Sequence, residues 1–494
     1  MLGDVRSPSV IVIGAGIGGL SAAIALAARG FRVTVLEKLD RPGGKMGEVR
    51  AEGFRWDSGP SVITMRPVYE RLFRAAGRDV RDYVEFVPLR PVTRYFWHDG
   101  VVLDAVTDED EMAAAIERQF GKRDAEGYRR FMQYARRLHD IVAAPFLYRH
   151  KPTLRDLVRL PIADVLKIDA LRTMHQAIRT FFDAPHLVQL FCRFATYNGS
   201  SPYRAPATLN VIAHVEMAQG AWYPRGGVFQ LARAYERLAC ELGVEVRYST
   251  PAAEILVTNG TAVGVRTAEG QTLNAEAVVC NVDYTFARQT LLPSNGKRQP
   301  LEPSCSGFVL LLGVRGRFDA LAHHNIFFTD DYPCEFADIF DRCLPPSDPT
   351  LYLCVTSKTD PEHAPPGYEN WFVLVNAPYL SPAFDWRSQG EHYAEHIKAK
   401  LMAWLERICG VHPEFVVERR LTPQDLQDLY GGHRGAIYGF SSNTRLAAFA
   451  RPNNRDPQIR RLYFASGSAH PGGGVPLVTL SGLAAARCIE EDLC

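Results

Sequence analysis

The first forty residues hold the pattern that most restricts the fold of this chain. A β-branched apolar run at residues 9–13 leads into a glycine-rich turn at residues 14–19, and apolar residues then recur at helical spacing as far as Gly30. A second apolar run at residues 31–36 ends at the acidic residue Glu37. This order of strand, glycine turn, helix, strand and acid is typical of a Rossmann-like dinucleotide-binding unit. It predicts an α/β fold on a parallel sheet.

Three glycines of the turn have distinct expected roles. Gly14 permits the tight turn, Gly16 lets backbone N–H groups approach a pyrophosphate, and Gly19 allows the helix to pack against the strand. Glu37 follows about 20 residues after the glycines, where an acid accepts hydrogen bonds from ribose hydroxyls. The unit alone leaves FAD and NAD open as the bound nucleotide.

A second glycine motif favours FAD. Residues 41–45 read Arg-Pro-Gly-Gly-Lys, and a glycine pair directly after the acid resembles the second fingerprint of the large flavoprotein class. Lys45 could reach a phosphate, and the turn predicted at residues 57–62 would lie along the flavin. On turn chemistry alone, a surface turn is the alternative for this second stretch.

Later strand signals indicate that the nucleotide-binding domain is discontinuous. Hairpin turns are predicted at Asn259-Gly260 and Glu269-Gly270. They separate strand candidates that form a β-meander returning to the sheet, at residues 244–248, 255–257, 262–265 and 277–281. The length of 494 residues, at about 150 per domain, allows two domains of which one interrupts the other.

We therefore predict a discontinuous FAD-binding domain and an interleaved substrate domain associated with the membrane. The FAD-binding domain comprises residues 1–66, 220–305 and 419–494. The substrate domain comprises residues 67–219, which are predicted to be helical, and residues 306–418, which are richer in strand signals.

The C-terminal region adds a third cluster of signals. Residues 462–467 predict a strand and turn, residues 470–476 form a Pro/Gly-rich loop, and a helix is predicted over residues 477–493. The positive end of a helix dipole at this loop would favour the anion that reduced flavin carries on its pyrimidine ring. A linker ahead of a capping helix is the alternative.

Composition excludes several classes of protein. The 56 Lys and Arg residues balance 55 Asp and Glu residues, so overall charge does not favour a nucleic-acid partner. Ten cysteines without C-x-x-C pairs or metal-ligand spacing predict reduced thiols, a cytoplasmic protein and no metal. No apolar run reaches the roughly 20 residues that span a bilayer, and no secretory signal is recognised at the N terminus.

Over nearly its full length the chain resembles the bacterial phytoene-desaturase-type family of FAD-dependent carotenoid desaturases. The motifs that carry the resemblance are residues 12–20, 41–45, 223–227 and 470–476. The resemblance implies a Rossmann-like, glutathione-reductase-like FAD-binding domain with an interleaved α+β substrate domain. It also implies flavin contacts at Ile17, Glu37, Lys45, Ser61, Val62, Ala252, Asn281, Tyr438, Gly467, Gly474 and Val475.

Two stretches look more like the 1-hydroxycarotenoid 3,4-desaturase branch of that family, residues 195–202 and 473–477. Ser466 and Ser468 also stand where phytoene desaturases tend to have glycines. The resemblance implies a later-stage, 3,4-type carotenoid desaturase in carotenoid biosynthesis. Phytoene desaturation, amine oxidation by a related flavoprotein, and non-enzymatic carriage of a prenyl chain are the alternatives.

Desaturation of a polyene needs a hydride acceptor, which flavin N5 supplies. Because the cation left on a conjugated chain is delocalised, orientation and exclusion of water matter more than a strong base. His470 is the one candidate acid/base, and a structural histidine is its alternative. No second complete G-x-G-x-x-G unit is present for NAD(P)H, so a quinone or O2 is the expected electron acceptor.

The segment at residues 141–179 indicates a membrane surface. It places basic side chains among leucines and valines: Arg149, Lys151, Arg155, Arg159, Lys167, Arg172 and Arg179. Such a face suits anionic lipid. We expect peripheral association with the inner face of the membrane, from which the carotenoid substrate is drawn. A solvated helix face packed on the core is the alternative.

Overall fold

The computed structural model describes residues 7–142, 168–292 and 301–494. Its strands are β1 Ser9–Ile13, β2 Arg32–Leu36, β3 Glu48–Ala51, β4 Phe54–Asp57, β5 Phe86–Pro88, β6 Thr93–Phe96, β7 Val102–Ala105, β8 Trp222–Pro224, β9 Glu245–Arg247, β10 Ala252–Thr258, β11 Thr261–Thr267, β12 Thr272–Asn274, β13 Ala277–Cys280, β14 Ser306–Arg315, β15 His324–Phe327, β16 Leu351–Cys354, β17 Tyr368–Ala377, β18 Glu414–Leu421 and β19 Leu462–Phe464.

The α-helices of the described ranges are α1 Ile17–Ala27, α2 Arg66–Ala75, α3 Glu109–Phe120, α4 Lys122–Val142, α5 Met174–Ile178, α6 Pro185–Cys192, α7 Val211–Gln219, α8 Phe229–Glu241, α9 Tyr284–Thr290, α10 Tyr332–Ala337, α11 Trp386–Cys409, α12 Pro423–Tyr430, α13 Ala447–Ala450 and α14 Val475–Leu493.

A five-stranded parallel sheet forms the centre of the nucleotide-binding part, in the order β19-β13-β1-β2-β9. The β-branched residues of β1 are almost completely buried, as expected for a strand covered on both faces. Helix α1 begins at Ile17, inside the glycine-rich stretch at residues 14–19 and before the first apolar residue of the predicted helix, Leu20. The predicted α/β class with a Rossmann-like unit is confirmed.

The predicted meander is present, with one refinement. Strand β9 joins the parallel sheet, β10, β11 and β12 form a separate antiparallel sheet, and β13 returns to the parallel sheet beside β1. The first predicted hairpin turn joins β10 to β11, and the second joins β11 to β12, a strand that the sequence did not indicate. Asn259 and Gly260 have φ values of 49° and 70°, which is the backbone that a two-residue hairpin with an Asn-Gly turn requires.

A seven-stranded mixed sheet, β18-β14-β17-β16-β15-β6-β7, forms the second half of the fold. Long strands β14 and β17 lie in its interior, and α11 packs over them through Trp386, Tyr393 and Ile397. Strands β6 and β7 join this sheet from the first inserted segment. The predicted domain boundary between residues 418 and 419 falls inside β18.

Helices α3 to α7 enclose a core of aromatic side chains, in which the ring centroids of Phe131 and Phe191 are 4.5 Å apart. Most of the basic segment predicted to meet lipid, residues 143–167, lies outside the described residues. At its end, Arg172 donates to Asp169 at 2.6 Å. Beside it, Leu171 is 73% exposed.

All ten cysteines lie in the described ranges and are free thiols, as the sequence predicted. Burial raises the pKa of both Cys280 and Cys305 to about 12. Separately, the described helices include none long and apolar enough to cross a membrane.

Candidate active site

The glycine turn after β1 is tightly enclosed. Gly14 has a φ of 98°, a backbone that L side chains rarely adopt. A Cβ atom on Gly19 would lie 2.1 Å from the carbonyl oxygen of Gly14, and one on Gly16 would lie 2.4 Å from Oδ1 of Asn281. The turn therefore has room for backbone only, which is what a pyrophosphate cradle needs.

The second glycine motif docks onto the first. The N–H of Gly43 donates to the carbonyl of Ala15 at 2.8 Å. The side chain of Lys45 bonds to a different segment: its Nζ donates to the carbonyls of Ala436 and Ile437 at 3.1 and 3.0 Å. Burial lowers the pKa of Lys45. In this structure Lys45 thus connects the motif to the segment that carries Tyr438, and its predicted phosphate contact stays a prediction.

Glu37 lies where a ribose-binding acid is expected. Its carboxylate accepts from the N–H groups of Ala15 at 2.6 Å and Leu39 at 2.9 Å. Burial raises its pKa despite these bonds. The N–H of Thr250 donates to the Glu37 carbonyl at 2.8 Å, which brings Ala252, two residues further on, to the same end of the site.

The predicted flavin-contact residues from the later part of the chain lie close to the glycine turn after β1. Asn281 follows β13, and its side-chain amide donates to the carbonyl of Ala465. A Cβ on Gly467 would lie 3.3 Å from the Cα of Gly473, and one on Gly473 would lie 2.8 Å from the Cα of Tyr438. Residues from four distant parts of the sequence therefore converge on one place.

Helix α14 begins at Val475, two residues before its predicted start, after Gly474 with a φ of 104°. It packs closely on α1, because a Cβ on Gly482 would lie 2.4 Å from the carbonyl oxygen of Gly18. The helix N terminus thus faces the same region as the glycine turn. The flavin contacts predicted at Gly474 and Val475 stay predictions.

His470 is buried in the loop before α14. Its N–H donates to the carbonyl of Pro452, and the side-chain amide of Asn454 donates to its carbonyl, both at 3.0 Å. Ser466 and Ser468 hydrogen-bond to each other, and Ser468 accepts from the N–H of Tyr284. The structure thus shows backbone anchoring at His470, whose acid/base role stays a prediction.

Arg451 is a residue of this region that the sequence did not indicate. It is buried and donates to the carbonyls of Gly467 and Phe440 at 2.9 and 3.2 Å. Burial lowers its pKa to about 10. An arginine in an irregular segment carries no local signal for such long-range contacts.

Two motifs that the sequence singled out separately are joined by a buried carboxylate. Asp57 accepts from the N–H groups of Val228 and Phe229, both at 3.1 Å, at the start of α8. Arg55 donates to Asp57 at 2.7 Å and lies where a side chain on Gly227 would be. The turn at residues 57–62 is thereby fixed against the motif at residues 223–227.

Four side chains indicate an internal space beside this cradle. Lys45, Tyr197, Tyr352 and Tyr438 are enclosed by protein, yet each keeps part of its surface open. Because protein surrounds these side chains, we infer that their open surface borders an internal space. We call this the tyrosine chamber. Burial raises the pKa of each tyrosine, so their hydroxyls keep their protons at neutral pH.

Ser61 links the predicted flavin contacts to the tyrosine chamber. Its Oγ lies 2.6 Å from the hydroxyl of Tyr352, which lies 2.8 Å from Nδ1 of His324. Burial lowers the pKa of His324 well below its usual value, so its ring is neutral at pH 7. The neighbouring His323 and Cys354 are also buried, and possible ligand atoms of the three lie within 4.8 Å of one another.

A buried ion pair stands behind Tyr197. Arg193 donates to Glu216 at 3.0 Å and to the hydroxyl of Tyr95 at 2.9 Å. The Tyr197 hydroxyl donates to the other oxygen of Glu216. Burial alone would lower the pKa of Arg193, but the neighbouring tyrosines and Glu216 raise it well above its usual value. The sequence did not indicate this pair.

These features fit an FAD molecule. The glycine turn leaves space that any Cβ would fill, Glu37 offers a carboxylate at the end of β2, and the N terminus of α14 faces the same region. Fold and site together define a flavin-binding oxidoreductase, with FAD as its cofactor. When bound, the flavin supplies a two-electron hydride acceptor.

The chain belongs to the family of flavin containing amine oxidoreductases, which matches residues 17–490. It is 38% identical to 4,4'-diapolycopene oxygenase of Methylomonas sp over 98% of both chains. It is 35% identical to hydroxyneurosporene desaturase of Rubrivivax gelatinosus, over all of this chain and 95% of that one. The resemblance to FAD-dependent carotenoid desaturases is thereby confirmed, and the chain is an enzyme.

Solved structures agree on the fold. A double mutant of putrescine oxidase superposes with a TM-score of 0.65 at 16% sequence identity, covering 98% of both chains. An oxidoreductase from Methanosarcina mazei has a TM-score of 0.64 at 16% identity, covering 97% of this chain and all of that one. At these identities the likeness concerns the fold alone.

Proposed function

We propose that this flavoenzyme desaturates the end region of a carotenoid that is already partly conjugated, between carbons 3 and 4. The observation that carries the proposal is the tyrosine chamber beside the cofactor cradle. It offers an enclosed site for an uncharged substrate. The desaturase relative, named for hydroxyneurosporene, supports this assignment because its similarity extends over the whole chain.

The chamber argues against an amine substrate. An ammonium group inside a protein needs an unpaired carboxylate or an aromatic cage with negative potential. The carboxylate nearest Tyr197 is Glu216, and Arg193 already pairs with it. The case for a neutral polyene therefore rests on the paired state of Glu216 and on the relatives named for carotenoids, since tyrosine rings alone would suit a cation as well.

The protein's own contribution to the reaction is orientation and exclusion of water. Removal of a hydride leaves a cation that the conjugated chain delocalises, and a proton then leaves the adjacent carbon. Longer conjugation stabilises this cation more. Each 1.36 kcal/mol of such stabilisation raises the rate about tenfold.

A second candidate is oxygenation at the end of the chain, which the relative at 38% identity favours. Loss of a hydride from a terminal methyl group and addition of water would give an alcohol and a proton. Product mass separates the two reactions, because desaturation removes two hydrogens and this reaction adds one oxygen. We expect the loss of two hydrogens.

The proposed function is tested with FAD-loaded protein in liposomes, given either phytoene or hydroxyneurosporene. The red shift of the polyene spectrum measures the rate. We expect hydroxyneurosporene to react at least about tenfold faster, since its cation is better delocalised. Equal or faster conversion of phytoene would indicate a phytoene desaturase, and no conversion of either substrate would contradict a carotenoid desaturase.

We also propose that the enzyme binds anionic lipid, draws its substrate from the inner face of the membrane and passes electrons to a quinone or O2. Leu171 supports the lipid contact, because a leucine that is 73% exposed lies beside the basic segment. Leu171→Glu, or Arg155→Glu with Arg159→Glu, is expected to reduce sedimentation with anionic liposomes several-fold.

High salt is expected to release the parent protein, because exposed charges are screened beyond about 10 Å at 0.1 M. Val411→Glu is the matched control, since Val411 is also exposed but lies far along the chain before β18. If all variants sediment as well as the parent, the lipid surface lies elsewhere. Reoxidation of the reduced enzyme by a soluble quinone and by O2 compares the two acceptors.

A further inference from the structure

We propose that Tyr197, backed by Arg193 and Glu216, forms a binding site for the hydroxyl group at the end of a hydroxylated carotenoid. The proposal rests on the proposed function and adds that the enzyme recognises the terminal hydroxyl group of its substrate. A hydroxyl on carbon 1 is two carbon–carbon bonds from carbon 3. A site that reads this hydroxyl must therefore lie close to the reacting carbons.

The position of Tyr197 meets this requirement. Tyr197 faces the tyrosine chamber, and a Cβ on the nearby Gly199 would lie 2.8 Å from the ring of Tyr438, a predicted flavin contact. Arg193 is also close enough to influence the pKa of Tyr438 and of His324. The ion pair and the chamber are thus parts of one neighbourhood next to the cofactor cradle.

The hydrogen bonds of Tyr197 determine which kind of group it can bind. Its hydroxyl donates its single proton in a hydrogen bond to Glu216, and Nη1 of Arg193 donates to the hydroxyl oxygen at 3.4 Å. The remaining capacity of the oxygen is to accept a bond. The matching ligand is a donor, and an alcohol O–H is an uncharged donor that a carotenoid can carry.

The ion pair holds Tyr197 in this state. Glu216 is 1% exposed and Arg193 is 6% exposed, and each bonds to the other as well as to tyrosine. The guanidinium also lies 5.2 Å from the centre of the Tyr197 ring. Because Glu216 takes the phenol proton, the Tyr197 oxygen can offer a further ligand only an acceptor. An alcohol O–H gains a partner in the second lone pair of this oxygen, and a plain hydrocarbon end gains none.

The test compares hydroxyneurosporene with its unhydroxylated parent polyene on the same FAD-loaded preparation. Their ratio of kcat/KM is independent of the fraction of active enzyme. In the parent protein we expect the hydroxylated substrate to be preferred about tenfold or more. In Tyr197→Phe, which keeps the ring against Arg193, we expect this preference to fall to within about twofold of unity, mainly through slower reaction of the hydroxylated substrate.

Tyr134→Phe is the matched control, because Tyr134 also donates to a carboxylate, Asp169 at 2.7 Å, but is not part of the chamber. It is expected to keep the parent's preference. Glu216→Gln gives a second variant, in which the phenol proton can turn towards the chamber, and it should also lower the preference. A parent-like preference in Tyr197→Phe, or no preference in the parent protein, would overturn this inference while the proposed function stands. Failure of the parent protein to oxidise either polyene would overturn both.

Discussion

Replacement of Gly16 by valine is expected to leave the purified protein almost free of FAD. A Cβ at this position would lie 2.4 Å from the side chain of Asn281, and the rest of the valine would fill the turn that is open to backbone only. Asn281 can move aside, so the fold survives while the cofactor loses its space. We expect FAD affinity to fall about 100-fold or more, or about 2.8 kcal/mol.

The measurement is the flavin content per protein after purification and the FAD titration of the stripped protein. Gly30→Ala is the control, since Gly30 follows the other end of α1 and a Cβ there meets nothing within 4 Å. Its φ of 84° makes alanine cost about 1–2 kcal/mol of stability, without touching the cofactor site. Parent-like flavin content in Gly16→Val would refute the assignment of this turn.

Removal of the Asp57 carboxylate is expected to give the largest loss of stability. Asp57→Ala leaves Arg55 without the buried one of its two acidic partners and the first N–H groups of α8 without their acceptor. Breaking a buried pair from one side typically costs about 3–5 kcal/mol. We expect a loss of that size in the free energy of unfolding, measured by urea denaturation of the FAD-loaded protein.

Asp40→Ala is the control for this loss. Asp40 pairs with Arg41 at 3.5 Å, and its side chain is 77% exposed, so its removal should change stability by less than about 0.5 kcal/mol. Equal effects of the two substitutions would show that the buried position of Asp57 does not matter to stability.

The parts of the fold that could be predicted are those in which the backbone conformation restricts the residue type. Gly14, Asn259 and Gly260 occupy positive φ values, so the turns they form can be inferred from residue type alone. The same is true of the strand, glycine turn and acid that end at Glu37. These features depend on neighbours in sequence, and the structure confirms the arrangement.

The polar interior was not predictable, because its partners are distant in sequence. Arg193 pairs with Glu216 from another helix, and Tyr352 of β16 meets Ser61 in the loop after β4. Neither pairing leaves a pattern in the local sequence. Tyr197 was the exception, since it lies in the stretch at residues 195–202 that resembled the 3,4-desaturases. The resemblance marked the segment, and only the structure showed that its tyrosine faces a chamber beside the cradle.

In the motif at residues 41–45, Lys45 makes a contact that the motif's sequence does not predict. A lysine after a glycine pair reads as a phosphate ligand, yet here its ammonium group is held by the carbonyls of Ala436 and Ile437. Those residues precede Tyr438, so the contact positions a wall of the chamber. The chemistry of a lysine fixes what it can donate to, while the fold decides which acceptor it meets.

The central claim is that bound FAD takes its electrons directly from a conjugated carotenoid. It is tested most directly by mixing FAD-loaded protein with hydroxyneurosporene in liposomes without O2 or added quinone, and recording the flavin and polyene absorption bands together. We predict that the flavin band bleaches with the same time course as the red shift of the polyene, with one flavin reduced for each new double bond. A polyene shift without flavin bleaching, or an oxidised flavin beside an unchanged polyene, would contradict the claim.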